Sequence, residues 1–355
     1  MANTALIDTA KASPRIASID LLKLFAIATV LLGHSVEQLS ADKFWDHPVW
    51  SFIYSYHMPL FMFLSGFFFR SSLNKPFKTV VLNKLRQLGV PSLTAFALQC
   101  IIILAAGVTA VSDLCELSFS GFMNSVWFLK CLLFCILIMY PLCKLFKNDF
   151  VAALAATLAI TFIPGAEIVN LNFMLPMFCL GMLCGSHMDS VERHHNALLI
   201  ASAALFFILL FFWSGRLTVY MVPTKVLAGG VVDWHNLGIT AYRLLIGMAG
   251  SMMFFLLARP VWNFMKDRKI SALLCRIGGA TLGIYVLQTF VLEMLVNSLG
   301  IYVPIPWSYI VAPVLAVAEL ALCYWLVLII RRNRGSSFLF LGDRLSTSPS
   351  PSPRA

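Results

Sequence analysis

Runs of about twenty mainly apolar residues recur along nearly all of this 355-residue chain, and no other feature limits its fold so strongly. A helix of about 20 residues crosses a 30 Å hydrocarbon core, and within lipid a helix satisfies its own backbone polar groups. Ten such segments can be marked, at about 16–36, 48–69, 87–109, 124–146, 150–165, 168–186, 197–214, 236–258, 277–299 and 307–330. The fifth is short and rich in alanine. Hydrophobic residues make up 60% of the chain and charged ones 12%, whereas a soluble domain carries about 25% charge. The expected fold is therefore all-α, a polytopic transmembrane helical bundle of about ten spans over residues 1–335. A Ser/Pro-rich tail at 336–355 is expected to be disordered. The first apolar run is full length and has no small-residue cleavage site behind a short core, so it reads as a span and not as a cleaved signal.

Loop charges test the span count. An even number of spans puts both termini on one side, and ten spans place twenty lysines and arginines on that side against three opposite, Lys43, Arg216 and Lys225. Basic residues collect on the cytoplasmic side, so both termini are expected in the cytosol. The formal net charge of +10 is then mostly topogenic, and nucleic-acid binding has no support. Two basic stretches, Lys75 to Arg86 and Arg259 to Arg276, are dense enough to hold a phosphorylated ligand, or equally to rest on anionic lipid headgroups. The nine cysteines form no CxxC pair, so neither a metal site nor a disulfide framework is indicated.

Ionisable residues inside spans are costly and mark functional pathways by default. The first span carries Asp20, Lys23 and His34. Lys23 and His34 are eleven residues apart, about three helical turns, which puts them on nearly one face about 16 Å apart along the axis. Asp20, one turn below Lys23, can partly compensate its charge. The competing reading is a lysine that snorkels to one interface and a histidine that reaches the other. In the second span His57 falls near mid-membrane. Pro59 cannot donate to the carbonyl of Ser55, so a kink or unwinding is expected beside that histidine. Ser65 and Gly66 follow, and they also suit a close helix contact.

Further polar candidates are Trp127 and Lys130 in the fourth span, Arg243 in the eighth, Gln288 and Glu293 in the ninth and Glu319 in the tenth. Trp127 equally fits an interfacial aromatic belt, and Arg243 and Glu293 could be ion-pair partners. A neutral imidazole in a bundle interior can take a proton from a hydroxyl near physiological pH. Buried Lys, His, Arg and Glu could also form the proton or substrate path of a transporter, and the residues alone leave both readings open.

Several of these stretches share a pattern. Lys23 to His34 is a basic-x10-His spacing within Ile-Asp-Leu-Leu-Lys, and residues 57–66 read His-Met-Pro-Leu-Phe-Met-Phe-Leu-Ser-Gly. Lys84-Leu-Arg86 is followed by Pro91, Trp127-Phe-Leu opens the fourth span, and Leu-Gly-Ile-Tyr ends at Tyr285. In these features the chain resembles the integral-membrane acyltransferase-3 family, close to the group named for fucose 4-O-acetylase. The resemblance covers nearly the whole chain to about Ile330. It implies a bacterial inner-membrane enzyme that moves an acyl group, usually acetyl from acetyl-CoA, to a hydroxyl of an envelope carbohydrate, with membrane lipids around it and no metal. By the same resemblance His34 is the general base, Lys23 positions the donor, and Lys84 and Arg86, with Arg70 nearby, hold the CoA phosphates. His57 and Ser65 belong to the cavity wall, His57 also standing with His34 and Lys23 as a catalytic candidate, and Asp20, Trp127, Arg243 and Gln288 are further cavity candidates. Many relatives carry histidine where this chain has Gln288.

Overall fold

A computed structural model describes residues 14–107, 117–163, 165–291 and 300–345. Helix α1, Pro14–Ser40, leads through a 3-10 turn, Ala41–Asp46, into α2, Pro48–Tyr54, and α3, His57–Phe67. The break between α2 and α3 lies where the missing Pro59 N–H predicts it. There the Nδ1–H of His57 donates to the Ile53 carbonyl at 2.8 Å, replacing a backbone bond that the unwound turn has lost. After α4, Arg70–Leu73, and α5, Phe77–Lys84, the chain widens into one π turn, Leu85–Gly89, before α6, Val90–Ala106.

Next come α7, Phe119–Asn124, α8, Trp127–Phe146, α9, Asp149–Phe162, and α10, Leu171–Ser186. A short α11, Met188–Arg193, connects to α12, His195–Phe211, then to a single turn α13, Gly215–Thr218, and to a two-residue antiparallel ladder of β1, Leu227–Ala228, and β2, Val231–Val232. The chain closes with α14, Trp234–Met265, α15, Ser271–Gly278, α16, Thr281–Gln288, α17, Ile305–Ile330, and α18, Arg334–Leu341. Side-chain caps start several helices: Asn148 accepts from Phe150 N and Val151 N, and Asp233 from Asn236 N.

Six helical segments are long and apolar enough to cross a membrane, α15 and α16 form a seventh bent by 62°, and α9, α10 and α12 are shorter apolar helices. Together they account for the ten apolar segments of the sequence. The bundle centre is α3 against α10, and small residues set that contact. A Cβ on Gly66 would lie 1.9 Å from the Phe178 carbonyl oxygen, and one on Gly181 would lie 1.9 Å from that of Phe63, so the two backbones touch directly. By contrast, α6 and α17 bury only 22% of their apolar windows and form part of the outer wall.

One boundary is corrected. Residues 336–341, assigned by composition to a disordered tail, are helical in α18, with Ser337 and Leu341 buried. Asn333 caps this helix through Gly335 N and Ser336 N, and its Phe338–Leu341 face is apolar, so a local signal outweighs the Ser/Pro bias that begins only beyond it. Residues 346–355 lie outside the described residues.

Candidate active site

A cavity of about 390 Å³ opens beside His34. Its walls come from α1 (His34), α2 (Tyr54), α6 (Gln99), the α7–α8 junction (Ser125 to Trp127), the loop before α14 (Tyr220) and α16 (Tyr285, Gln288). The volume falls within the range of about 300–1,000 Å³ usual for small-molecule sites. Among the described lining residues none is Asp, Glu, Lys or Arg. Buried polar atoms in this wall lack protein partners: Gln99 Oε1, Ser125 Oγ and Gln288 Oε1. Gln288 is only 2% exposed, and a buried amide oxygen without a partner carries a cost that a ligand hydroxyl relieves.

The imidazole of His34 is held from its own helix. Its Nδ1 lies 2.7 Å from Oε2 of Glu37, and Oε1 of Glu37 accepts from the Trp50 indole N–H at 3.0 Å. A carboxylate only accepts, so Nδ1 carries the hydrogen and Nε2 is the nitrogen able to take a proton. Tyr54, stacked on Trp50 at 4.2 Å between ring centres, puts its hydroxyl 3.5 Å from the same Nδ1. Glu37 was not among the sequence candidates. Its signal was an acid three residues after a histidine in an apolar helix, the spacing that brings two side chains together on one face.

His57, placed by the sequence with the catalytic candidates, stands behind this wall. It is 1% exposed and lines none of the described cavities around His34 and Lys23. Its Nδ1–H is spent on the Ile53 carbonyl, so its Nε2 accepts from the Tyr220 hydroxyl at 3.4 Å. Burial holds the Tyr220 phenol well above its usual range, which keeps it a donor. His57 thus positions Tyr220, and Tyr220 lines the cavity.

Arg243 supports the same loop from the other side. It donates through Nε to the Thr218 carbonyl at 3.0 Å, through Nη2 to that of Leu217 at 2.9 Å, and through Nη1 to Thr224. The cavity wall expected of it is therefore one residue removed, since it holds the segment that carries Tyr220. Glu293, its suggested ion-pair partner, lies outside the described residues.

A second cavity, about 260 Å³, contains Lys23, Ser65 and Lys84 among Phe61, Leu64, Phe128 and Leu132. It shares Met58 and Tyr285 with the His34 cavity. Lys23 pairs with Asp20 at 3.0 Å, and Asp20 lines neither cavity. Ser65 faces the space while donating to the Phe61 carbonyl at 2.9 Å. At its far end this cavity adjoins two more, about 240 and 410 Å³, and Lys84 lines all three. Arg86 lines the larger of the two.

Arg70, expected beside these cations, instead ties α4 to α9 and α10 through Asp149 and Ser186, and lines none of the three. The carboxylate of Asp149 at the start of α9 is its nearer electrostatic partner. No group of three or more His, Cys, Asp or Glu able to hold a metal occurs among the described residues.

The profile of the acyltransferase-3 family, described as an acyltransferase domain, matches residues 16–336, which hold every element above except the first two residues of α1 and the last five of α18. The chain belongs to that family. Within it, this acyltransferase is 28% identical over 305 residues to "Nodulation protein NolL" of Sinorhizobium fredii, covering 81% of this chain and 80% of that protein. It is also 28% identical over 177 residues to the protein of the same name in Mesorhizobium japonicum, covering 47% of each. No solved structure is a significant match to this acyltransferase. Its adjoining cavities, which share Met58 and Tyr285, therefore stand on this chain's own geometry.

Proposed function

We propose that this protein is a multi-pass O-acetyltransferase of the bacterial inner membrane that carries acetyl from acetyl-CoA to a hydroxyl of an envelope carbohydrate. The observation that supports this best is the sharing of Met58 and Tyr285 by the Lys23 cavity and the His34 cavity. A cation-lined end and an imidazole-lined end thereby adjoin inside one bundle. Both termini, and with them the Lys84 end, face the cytosol in this reading, because twenty of the loop and tail cations lie on that side.

The residues fit an acyl-CoA donor. Lys84 and Arg86 offer charge-assisted hydrogen bonds to phosphates. The narrow space between Phe61, Leu64, Phe128 and Leu132 suits an uncharged pantetheine arm. The acceptor lies against Trp127, Tyr54 and Tyr220, whose faces suit the C–H face of a sugar, while Gln99 and Gln288 take its hydroxyls. An uncharged wall favours a neutral sugar, in keeping with the fucose 4-O-acetylase-like group.

In the mechanism, His34 Nε2 removes the acceptor proton as that oxygen attacks the thioester carbonyl, and Glu37 holds the imidazolium that forms. His34 then returns the proton to the departing CoA sulfur. Base catalysis of this kind contributes about 10²–10⁴ in rate. The test is transfer of labelled acetyl from acetyl-CoA to candidate neutral glycans by purified protein, joined with mass spectrometry of envelope glycans with and without the gene. Absence of acetyl transfer to every carbohydrate, with glycans unchanged by loss of the gene, would overturn the reading.

A further inference from the structure

The two cavities beyond Lys84 are walled in part by the segment that follows α17. Arg344 lines both of them, and Arg331 lines the larger. With Lys75, Lys84 and Arg86 this gathers five cations around two adjoining cavities, four of them on the larger. A wall of this kind can offer several charge-assisted hydrogen bonds to one bound anion. The acid on this wall, Asp343, accepts from the Ser337 hydroxyl and is outnumbered by the four cations of the larger cavity. Arg344 itself makes no ion pair or hydrogen bond among the described residues.

Its position is nevertheless built. Ser336 Oγ donates to the Ile330 carbonyl at 2.9 Å and folds α18 back onto the end of α17. Gly342 then turns with φ 66° and lies against the π turn Leu85–Gly89. A Cβ at that point would lie 2.6 Å from both the Arg86 carbonyl oxygen and Gln87 Cα, so only glycine fits. Arg86 Nε donates to the Gly342 carbonyl at 3.0 Å. The turn that positions Arg344 is thus locked to the residue already assigned to the donor phosphates, and π turns are frequent at functional sites.

We infer that Arg344, carried by the α18 turn and supported by Arg331, is a phosphate-binding residue of the donor site. The reading rests on the proposed acyl-CoA donor. Residues 334–345 are then part of the enzyme's binding machinery, with the phosphates of CoA bracketed between the π turn and the chain's last described residues. An anionic lipid headgroup offers the same phosphate chemistry and is distinguished by the test.

The test is calorimetric affinity for acetyl-CoA and for S-acetyl-pantetheine, which lacks the phosphates, on full-length protein in nanodiscs of neutral lipid. Arg344→Ala is expected to weaken acetyl-CoA about tenfold, equivalent to about 1.4 kcal/mol, and to leave S-acetyl-pantetheine unchanged. Arg344→Lys is expected to recover part of the loss, and it serves as the readout if the alanine variant does not fold. Unchanged acetyl-CoA affinity in these variants overturns the inference, as does equal weakening of both ligands, which would mark a packing role. If acetyl-CoA affinity is unchanged but binding of anionic lipid falls, the site belongs to a headgroup and the inference fails. A wild-type protein that binds no CoA thioester overturns the donor reading and this inference together, whereas the other outcomes leave the donor reading intact.

Discussion

The carboxylate of Glu37 lies 2.7 Å from Nδ1 of His34, one turn further along α1, and its second oxygen holds the indole of Trp50 at 3.0 Å. A histidine is thereby fixed in one tautomer by its own helix and steadied from the next. The arrangement needs no other subunit and no long-range loop to form.

Glu37→Gln should lower kcat by about 10²–10⁴ while leaving the affinities for donor and acceptor close to wild type. The amide can present its N–H to Nδ1 and so favour the tautomer with the proton on Nε2. His34→Ala should abolish transfer with membrane insertion intact. Rates of labelled acetyl transfer check both, and a Glu37→Gln enzyme at full speed would remove the orienting role.

His57 should behave differently from His34. His57→Ala leaves the Tyr220 hydroxyl buried without its acceptor, which costs about 1–3 kcal/mol. The expected outcome is a lower melting temperature and a modest fall in kcat, where His34→Ala abolishes activity outright. Thermal unfolding in detergent beside rate measurement separates the two.

Lys23→Met should raise the KM for acetyl-CoA by about tenfold, the loss of one charge-assisted contact of about 1.4 kcal/mol, with the KM for the acceptor unchanged. Steady-state kinetics with each substrate varied in turn provide the check. A selective effect on acceptor KM would place Lys23 in the wrong half of the path.

Gly66→Ala should destabilise the bundle by about 1–3 kcal/mol or prevent its assembly, because the new methyl group meets the Phe178 carbonyl at 1.9 Å. Ser65→Ala, one residue away and facing a cavity, should leave the melting temperature nearly unchanged.

Stability should also fall below about pH 6.5 through His47, which lies just outside the spans. Ser308 donates to the Ile305 carbonyl at 2.6 Å, so His47 Nε2 must donate to Ser308 at 3.0 Å, and a second proton would have to enter at buried Nδ1. Burial lowers the folded-state pKa of His47 below the ordinary value of 6.5. Above 6.5 both states are neutral and the full stability is present. As the pH drops through that value the unfolded chain takes a proton that the folded chain resists, and stability declines until the lowered folded value is reached. His47→Gln should flatten this part of the profile, read by melting temperature against pH.

The ten apolar segments, the break beside Pro59 and the shared face of Lys23 and His34 were legible in the sequence because each depends on spacing along one chain. Twenty apolar residues must be helical in lipid, proline lacks its N–H wherever it stands, and eleven residues make three turns in any helix. What the tertiary structure alone decided was which charged groups meet a cavity. Arg70 and Lys84 look alike in the sequence, as cations between the second and third apolar segments. Arg70 found Asp149 from α9, whereas Lys84 stayed at the junction of three cavities. His57 and Arg243 brace the loop of Tyr220, and Arg344 returns from beyond the last span to the mouth that Arg86 lines. Such pairings join helices far apart in the chain, where no periodicity records them, and the close backbone approaches at Gly66, Gly181 and Gly342 are likewise set only in three dimensions.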